Sequence, residues 1–156
     1  MKLKHIITAG IGALAVAGAV LAMPNPSCHS VNGLPDAHCT PGVVRTTDKN
    51  VICTQKTGDI RPPASYTTKL KIQQIKEYGY SDKNPQDYEE DHLISLELGG
   101  DPTDPKNLWP EAPGSPNPKD KVENYLHRQI CSGNMTVQDA QKGIATNWKQ
   151  YINQIQ

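Results

Sequence analysis

The chain of 156 residues has no phenylalanine, only two tryptophans and no excess of charge, since 16 Lys and Arg balance 16 Asp and Glu. Balanced charge argues against a polybasic coat for nucleic acid and against an acidic disordered tail. Apolar residues make up 36% of the chain, which supports a small core and excludes a multispan membrane protein. The length predicts one domain.

Only one long apolar run occurs, and it lies at the amino terminus. Lys2 and Lys4 precede an uncharged segment over residues 6–21, and small residues suited to a cleavage site follow up to Ala22. This three-part pattern predicts a signal peptide over residues 1–22. A retained anchor fits less well, because a span needs ~20 apolar residues and this run contains glycines. We therefore expect a secreted protein, extracellular or periplasmic, with no stable membrane association after cleavage.

Secretion makes disulfides the default state of the four cysteines. Four cysteines permit three pairings. A Gly-Leu-Pro-Asp turn separates Cys28 from Cys39 and favours a bridge between them, which leaves Cys53 to pair with Cys131. The alternative is a zinc site, because each of the first two cysteines adjoins a histidine. Adjacent residues rarely ligate one ion, so we prefer the disulfides.

Composition divides the remaining chain in two. Residues 23–50 are rich in Pro, Gly, Thr and Asn and predict a loop-like extension, whereas residues 51–156 form the expected domain. Within that domain, residues 51–54 have a β-like composition. A helix is expected from about residues 65–68 to Tyr78, where Gly79 favours its end.

The second half of the domain predicts a hairpin followed by two helices. A strand is expected over residues 93–98, then a Gly-Gly turn, then an extended return over residues 107–110. Asn117-Pro118 is typical of a helix start and Gly133 of a helix end. Thr136 and Asp139 resemble a capping box that opens the last helix. The predicted class is α+β: a small β-hairpin with a helix laid against it and flanking helices.

Several residues of this domain are of types that bind metal ions or catalyse reactions. Asp and His are suitable ligands for a divalent ion, and a second His can act as a general base. Glu123 and His127 lie four apart on one predicted helix, so their side chains can address one point. Asp91 and His92 are neighbours, and neighbours in a strand point to opposite faces, so this pair must lie at a strand end or a bend.

The sequence Glu-Asp-His-Leu-Ile-Ser-Leu-Glu-Leu-Gly-Gly at residues 90–100, with Asn-Leu-Trp-Pro at residues 107–110, closely resembles secreted bacterial proteins of the HNH nuclease class. The resemblance is specific over residues 88–110 and looser over the rest of the domain. It implies a ββα-metal (His-Me) finger, in which a hairpin and a helix hold one divalent ion. Here disulfides would stabilise the finger in place of structural zinc.

The resemblance also assigns roles. Asp91 would ligate the metal, His92 would be the general base, and Asn107 would hold the loop that orients His92. The ligand on the helix falls on His127, which lies further along the chain than the family usually places it. The residues that could replace or join it are Asp120, Glu123 and Asn124. Mg²⁺ suits a carboxylate, whereas a His ligand also tolerates Mn²⁺, Ni²⁺ or Zn²⁺.

The function implied is a secreted, metal-dependent HNH-type endonuclease that hydrolyses phosphodiester bonds, with DNA the first expected substrate and RNA the second. Arg61 would contact phosphate or pair with Glu89 or Glu90. Trp109 is expected in the core rather than as a platform for stacking bases. The alternative function is a non-catalytic, disulfide-stabilised binding module that keeps the finger as a scaffold.

Overall fold

The computed structural model describes residues 27–114 and 116–155. Within these residues, four α-helices and one two-stranded antiparallel sheet form a mixed α+β fold. The helices are α1 (Lys49–Thr54), α2 (Ala64–Glu77), α3 (Lys119–Ser132) and α4 (Val137–Asn147), and the strands are β1 (Glu89–His92) and β2 (Leu108–Glu111). Short 3₁₀ helices connect them, and the longest of these follows α4 at Trp148–Gln154. The predicted signal peptide lies outside the described residues.

The ends of α3 and α4 follow the predicted capping chemistry. Asn117 accepts the backbone N–H of Lys119 at 2.9 Å, and the chain turns at Gly133 with a φ of 83°. Thr136 accepts the backbone N–H of Asp139 at 3.1 Å. These contacts satisfy backbone groups near the helix ends. The predicted start of α4 is confirmed, whereas α3 begins at Lys119 with Pro118 as its N-cap, one residue later than predicted.

Two strand predictions were wrong. Residues 51–54 belong to α1, because Asp48 caps that helix by accepting the N–H of Asn50 at 2.8 Å. Residues 93–98 are not a strand either. The first strand of the hairpin lies just before them, in the acidic segment Glu89–His92, and Leu96–Leu98 form a 3₁₀ turn.

The hairpin packs against α2 on one side and is followed by α3. Its register places Asp91 opposite Trp109 and His92 opposite Leu108. Trp109 is 1% exposed and its ring centroid lies 6.3 Å from that of Tyr78, which confirms its place in the core.

The main core lies between α1, α3, α4 and the 3₁₀ turn of the hairpin. Helices α3 and α4 and the 3₁₀ helix that follows α4 supply most of it: Val122, Leu126, Ile130, Val137, Ala140, Ile144, Trp148 and Tyr151. Both predicted disulfides are present. Cys28–Cys39 spans 11 residues, and Cys53–Cys131 spans 78 residues and joins α1 to α3.

The segment predicted as a loop-like extension lies along the loop that joins the two strands. Arg45 donates its backbone N–H to the carbonyl of Gly99 at 2.9 Å, and the N–H of Asp101 donates to the carbonyl of Val43 at 2.8 Å. Thr40 is buried and its hydroxyl is hydrogen-bonded to that of Tyr78 at 2.7 Å. In residues 27–114 and 116–155, no helix has the length and apolar character that a membrane span requires.

Candidate active site

The strand β1 ends at the residues that the sequence analysis selected for chemistry. Asp91 and His92 are its last two residues, and both are buried although both are ionisable. The pair therefore lies at a strand end, where adjacent side chains need not be separated by the sheet.

His92 is held in one orientation by the loop that follows β1. Its Nε2 lies 3.0 Å from the carbonyl oxygen of Pro102. A carbonyl oxygen only accepts, so Nε2 carries the proton and donates it, and Nδ1 keeps the lone pair in the neutral ring. Burial lowers the pKa of His92, and the positive charges of Arg61 and Lys119 act in the same direction. The imidazole is therefore an oriented, neutral base.

Asn107 fixes the same loop. Its side chain is fully buried, and Oδ1 accepts the backbone N–H of Ile94 at 3.0 Å and of Val43 at 3.2 Å. Nδ2 donates to the carbonyls of Ile94 at 3.0 Å and Asp101 at 2.8 Å. Because Asp101 directly precedes the residue whose carbonyl holds the imidazole, this amide sets the position of that carbonyl.

Lys119, the first residue of α3, lies at the centre of the acidic groups. Its Nζ is 2.8 Å from Asp91 Oδ2, 2.5 Å from Glu123 Oε1 and 2.8 Å from the carbonyl oxygen of His92. The side chain has no exposed surface. Burial disfavours the ammonium, but the carboxylates of Asp91, Glu123 and Glu111 outweigh that cost and raise the pKa of Lys119. A permanent positive charge therefore sits between two carboxylates.

Further carboxyl groups surround this ion pair. Burial raises the pKa of Glu90 to about 8 and that of Glu111 to about 9. Both oxygens of Glu90 and Oε2 of Glu111 are buried and have no hydrogen-bond partner in the part of the chain that the structure describes. One carboxyl oxygen of Glu89 has a hydrogen bond, since its Oε2 accepts from Asn117 Nδ2 at 3.0 Å. The region thus has more carboxyl groups than cations.

A small polar cavity of about 50 Å³ opens beside these groups. Its lining brings together most of the residues selected from the sequence: Arg61, Glu89, Glu90, Asp91, His92, Ser95, Leu96, Asp120 and Glu123. A cavity of this size admits a few water molecules. A larger cavity, about 730 Å³, lies between residues 116–121 and the carboxyl-terminal 3₁₀ helix, and its lining includes neither a carboxylate nor an imidazole.

Arg61 stands at the edge of the small cavity with an exposed side chain. The sequence left open whether it pairs with Glu89 or Glu90 or contacts phosphate. Among the residues that the structure describes, it forms no ion pair with either glutamate. Its guanidinium is therefore available to a ligand.

His127 is not brought to this cavity. Its Nε2 lies 3.2 Å from the carbonyl oxygen of Ile52 and 3.6 Å from Cys131 Sγ. The ligand atoms of Cys53, His127 and Cys131 all lie within 4.8 Å of one another, a spacing that could hold a metal ion. The two sulfur atoms are joined in a disulfide, however, and a metal ligand must be a thiolate.

The predicted metal ligands therefore do not form a ligand set in this arrangement. Asp91 and Glu123 face each other across Lys119 Nζ, and His127 is bound to a carbonyl elsewhere on α3. The oxygen donors are of the kind that Mg²⁺ and Mn²⁺ prefer. The point between them is occupied by an ammonium group, so the residues as placed do not fit the ion.

Sequence reasoning missed Lys119 and Glu111. Lys119 lies four residues before Glu123, and this spacing is a known signal for an ion pair on a helix. Glu111 lies opposite Glu89 in the hairpin register, so the two share a face. Neither pattern distinguishes a buried site from an exposed charged surface.

Comparison of the chain with family models, with curated proteins and with solved structures finds no match in any of the three.

Proposed function

We propose that the protein is a secreted phosphodiesterase of the HNH type that hydrolyses nucleic acid, with DNA as the first expected substrate and RNA as the second. The observation that carries the proposal is His92: a buried, neutral imidazole, oriented by the carbonyl of Pro102, at the edge of a polar cavity. The motif resemblance and the hairpin-helix arrangement support a ββα finger as its fold. The two disulfides are consistent with a location outside the cell.

In this proposal His92 Nδ1 accepts a proton from a water molecule in the cavity as the water oxygen attacks phosphorus. The bond between phosphorus and the leaving 3′-oxygen breaks, and that oxygen takes a proton from solvent. Arg61 would hold a phosphoryl oxygen, since a guanidinium matches the geometry of a phosphate. A general base positioned in this way contributes typically ~10²–10⁴-fold to the rate.

The divalent cation implied by the resemblance remains a prediction, and no step is assigned to it here, because its ligands are not assembled. When bound in such a finger, a divalent ion would polarise the phosphoryl group and stabilise the leaving oxygen.

The second candidate is the non-catalytic binding module. The observation in its favour is the lining of the cavity, where five carboxylate residues face a single arginine. Such a surface repels a polyanion unless cations neutralise it.

Incubation of the oxidised protein with supercoiled plasmid, and separately with single-stranded RNA, tests the two candidates. Parallel reactions contain EDTA, Mg²⁺, Mn²⁺, Ni²⁺ or Zn²⁺. The proposal expects nicked and linear plasmid, and an Arg61→Ala variant with KM raised about tenfold, the value of one charge-assisted hydrogen bond. Arg128→Ala, an exposed arginine on α3, is the matched control. No cleavage under any condition by the folded protein would favour the binding module.

A further inference from the structure

The ammonium group of Lys119 is buried and is also surrounded by oxygen atoms of the protein. It has three N–H donors, and three oxygen atoms lie around it at 2.5–2.8 Å: Asp91 Oδ2, Glu123 Oε1 and the main-chain oxygen of His92. The ammonium group donates hydrogen bonds to Glu123 Oε1 and to the main-chain oxygen of His92, and it forms an ion pair with Asp91 Oδ2. With no exposed surface, the group does not reach a substrate.

The same three oxygen atoms form a typical half-shell for a hard divalent cation. Carboxylate and main-chain oxygens are the preferred ligands of Mg²⁺, Mn²⁺ and Ca²⁺. Asp91 comes from the end of β1 and Glu123 from the first turns of α3, so these ligands join the hairpin to the helix. A cation at this point has two effects: it neutralises paired carboxylates, and it fixes the backbone of His92.

We propose that the ammonium group of Lys119 takes the place of the divalent cation in this finger, so that the site is assembled without metal. The inference rests on the proposed function for its catalytic consequence, but its structural claim is independent of it. Lys119 is a positioning residue: it holds the carbonyl of His92 and the two carboxylates, whereas His92 and Arg61 face the substrate.

The direct test is a titration of the oxidised protein with Mn²⁺, followed by calorimetry, for the wild type and for Lys119→Ala. The wild type is expected to give no saturable heat. Lys119→Ala removes the ammonium and leaves two carboxylates and a carbonyl around an open space. It is expected to bind one Mn²⁺ with an affinity at least about tenfold above the detection limit that the wild-type titration sets. Lys121→Ala, an exposed lysine on the same helix, should behave as the wild type.

Thermal denaturation gives a second reading. Mn²⁺ should raise the Tm of Lys119→Ala, because a ligand that binds only the folded state stabilises it, and should leave the Tm of the wild type unchanged. A purely structural role of Lys119 would not produce such rescue by a metal ion. Saturable Mn²⁺ binding by the wild type that Asp91→Asn abolishes would overturn the inference, and this measurement needs no lysine variant to fold. Failure of a folded Lys119→Ala to bind Mn²⁺ would also overturn it.

Cleavage assays separate this inference from the proposed function. Plasmid cleavage by the wild type at the same rate in EDTA and in Mn²⁺ supports both. Cleavage only with a divalent ion overturns the role of Lys119 and leaves the nuclease proposal standing. If plasmid is cleaved under neither condition, the nuclease proposal fails, and the Mn²⁺ titration alone decides whether Lys119 replaces the cation.

Discussion

The side chain of Asn107 is fully buried and forms hydrogen bonds with four backbone groups. The groups belong to the start and the middle of the loop between the strands, at Ile94 and Asp101, and to the amino-terminal segment, at Val43. Unpaired buried backbone groups cost free energy individually, and here a single amide satisfies all of them. The cost of losing it should therefore be large.

We expect Asn107→Ala to lower the free energy of unfolding by about 3–5 kcal/mol, because several buried donors and acceptors lose their partner together. Urea denaturation measures this loss. Asn153→Ala, at an exposed asparagine in the last 3₁₀ helix, is the control and should change stability by less than about 0.5 kcal/mol. A loss below about 1 kcal/mol for Asn107→Ala would contradict the proposed clamp.

At the scale of single residues, the sequence predicted which residues lie close together better than it predicted the groups that surround them. The motif identified His92, Asp91 and Asn107, and the structure places all three at one end of the hairpin. It gave no indication of Lys119, because a Lys and a Glu four apart on a helix usually form an exposed pair. Burial of that pair depends on contacts between β1 and α3, which no local pattern records.

Within the loop between β1 and β2, the backbone at Gly100 lies so close to Ile94 that no side chain fits there. A Cβ atom at Gly100 would lie 1.8 Å from the carbonyl oxygen of Ile94 and 2.9 Å from Asn107 Nδ2. Atoms cannot approach so closely, so the backbone would have to move. The same loop carries the carbonyl that orients His92.

Gly100→Ala is therefore expected to destabilise the protein by about 3 kcal/mol, as overpacking in a rigid site does, and to reduce cleavage. Thermal denaturation and the plasmid assay measure the two effects. Gly58→Ala is the matched control, because nothing lies within 4 Å of a Cβ added there. Equal stability of the two variants would show that the loop is less constrained than its contacts indicate.

The hairpin also explains why its strand was misplaced by sequence reasoning. The sequence analysis placed the strand at residues 93–98, but the strand is the acidic segment Glu89–His92. Asp91 and His92 are buried and the two glutamates before them are half-buried, with Lys119 paired to Asp91, which is the reverse of an ordinary amphipathic strand. Residues 51–54 are rich in β-branched side chains, yet the Asp48 cap and packing against α3 make them helical. The helices with clear caps and apolar stripes were predicted, although the last α-helix ends at Asn147 and the predicted stripe continues into a 3₁₀ helix at Trp148–Gln154.

On the scale of the whole molecule, the two disulfides constrain very different lengths of chain. In the loop-entropy model the stabilisation grows with the number of residues enclosed, giving about 3 kcal/mol for Cys28–Cys39 and about 4.5 kcal/mol for Cys53–Cys131. The second bridge also joins α1 to α3.

Guanidinium denaturation of the two double Cys→Ser variants should show the greater loss of unfolding free energy for the pair at positions 53 and 131. The reverse order would mean that the amino-terminal segment contributes more than its loop length suggests.

Buried carboxyl groups should make overall stability depend on pH. The pKa values of Glu90 and Glu111 are raised by burial to about 8 and about 9, so the folded state keeps protons that the unfolded state releases. Their contribution is complete below the unfolded pKa of 4.5 and is lost as pH rises through these values. The pKa of His92 is lowered in the folded state. This group therefore changes stability only below its ordinary pKa of 6.5, where the unfolded state binds a proton that the folded state does not.

We therefore expect the free energy of unfolding to fall between pH 7 and pH 9. The decrease is at most about 1.4 kcal/mol per pH unit for each carboxyl group that is protonated in the folded state and ionised in the unfolded state. Urea denaturation across this range measures the slope. Glu90→Gln should reduce this slope, whereas Glu77→Gln, at the half-buried last residue of α2, is the control and should leave it unchanged. Stability that is constant or rising over this range would contradict the assigned burial.

The rate of plasmid cleavage by His92→Ala, measured against pH beside the wild type, tests the central claim most directly. His38→Ala, at an exposed histidine, is the control for loss of an imidazole. The wild-type rate should rise with pH to a plateau, with its midpoint below 6.5 because burial lowers the pKa of His92. His92→Ala should be slower by ~10²–10⁴-fold and show no such rise, in a protein whose circular dichroism spectrum shows that it is folded. A His92→Ala protein that cleaves plasmid as fast as the wild type would contradict the account.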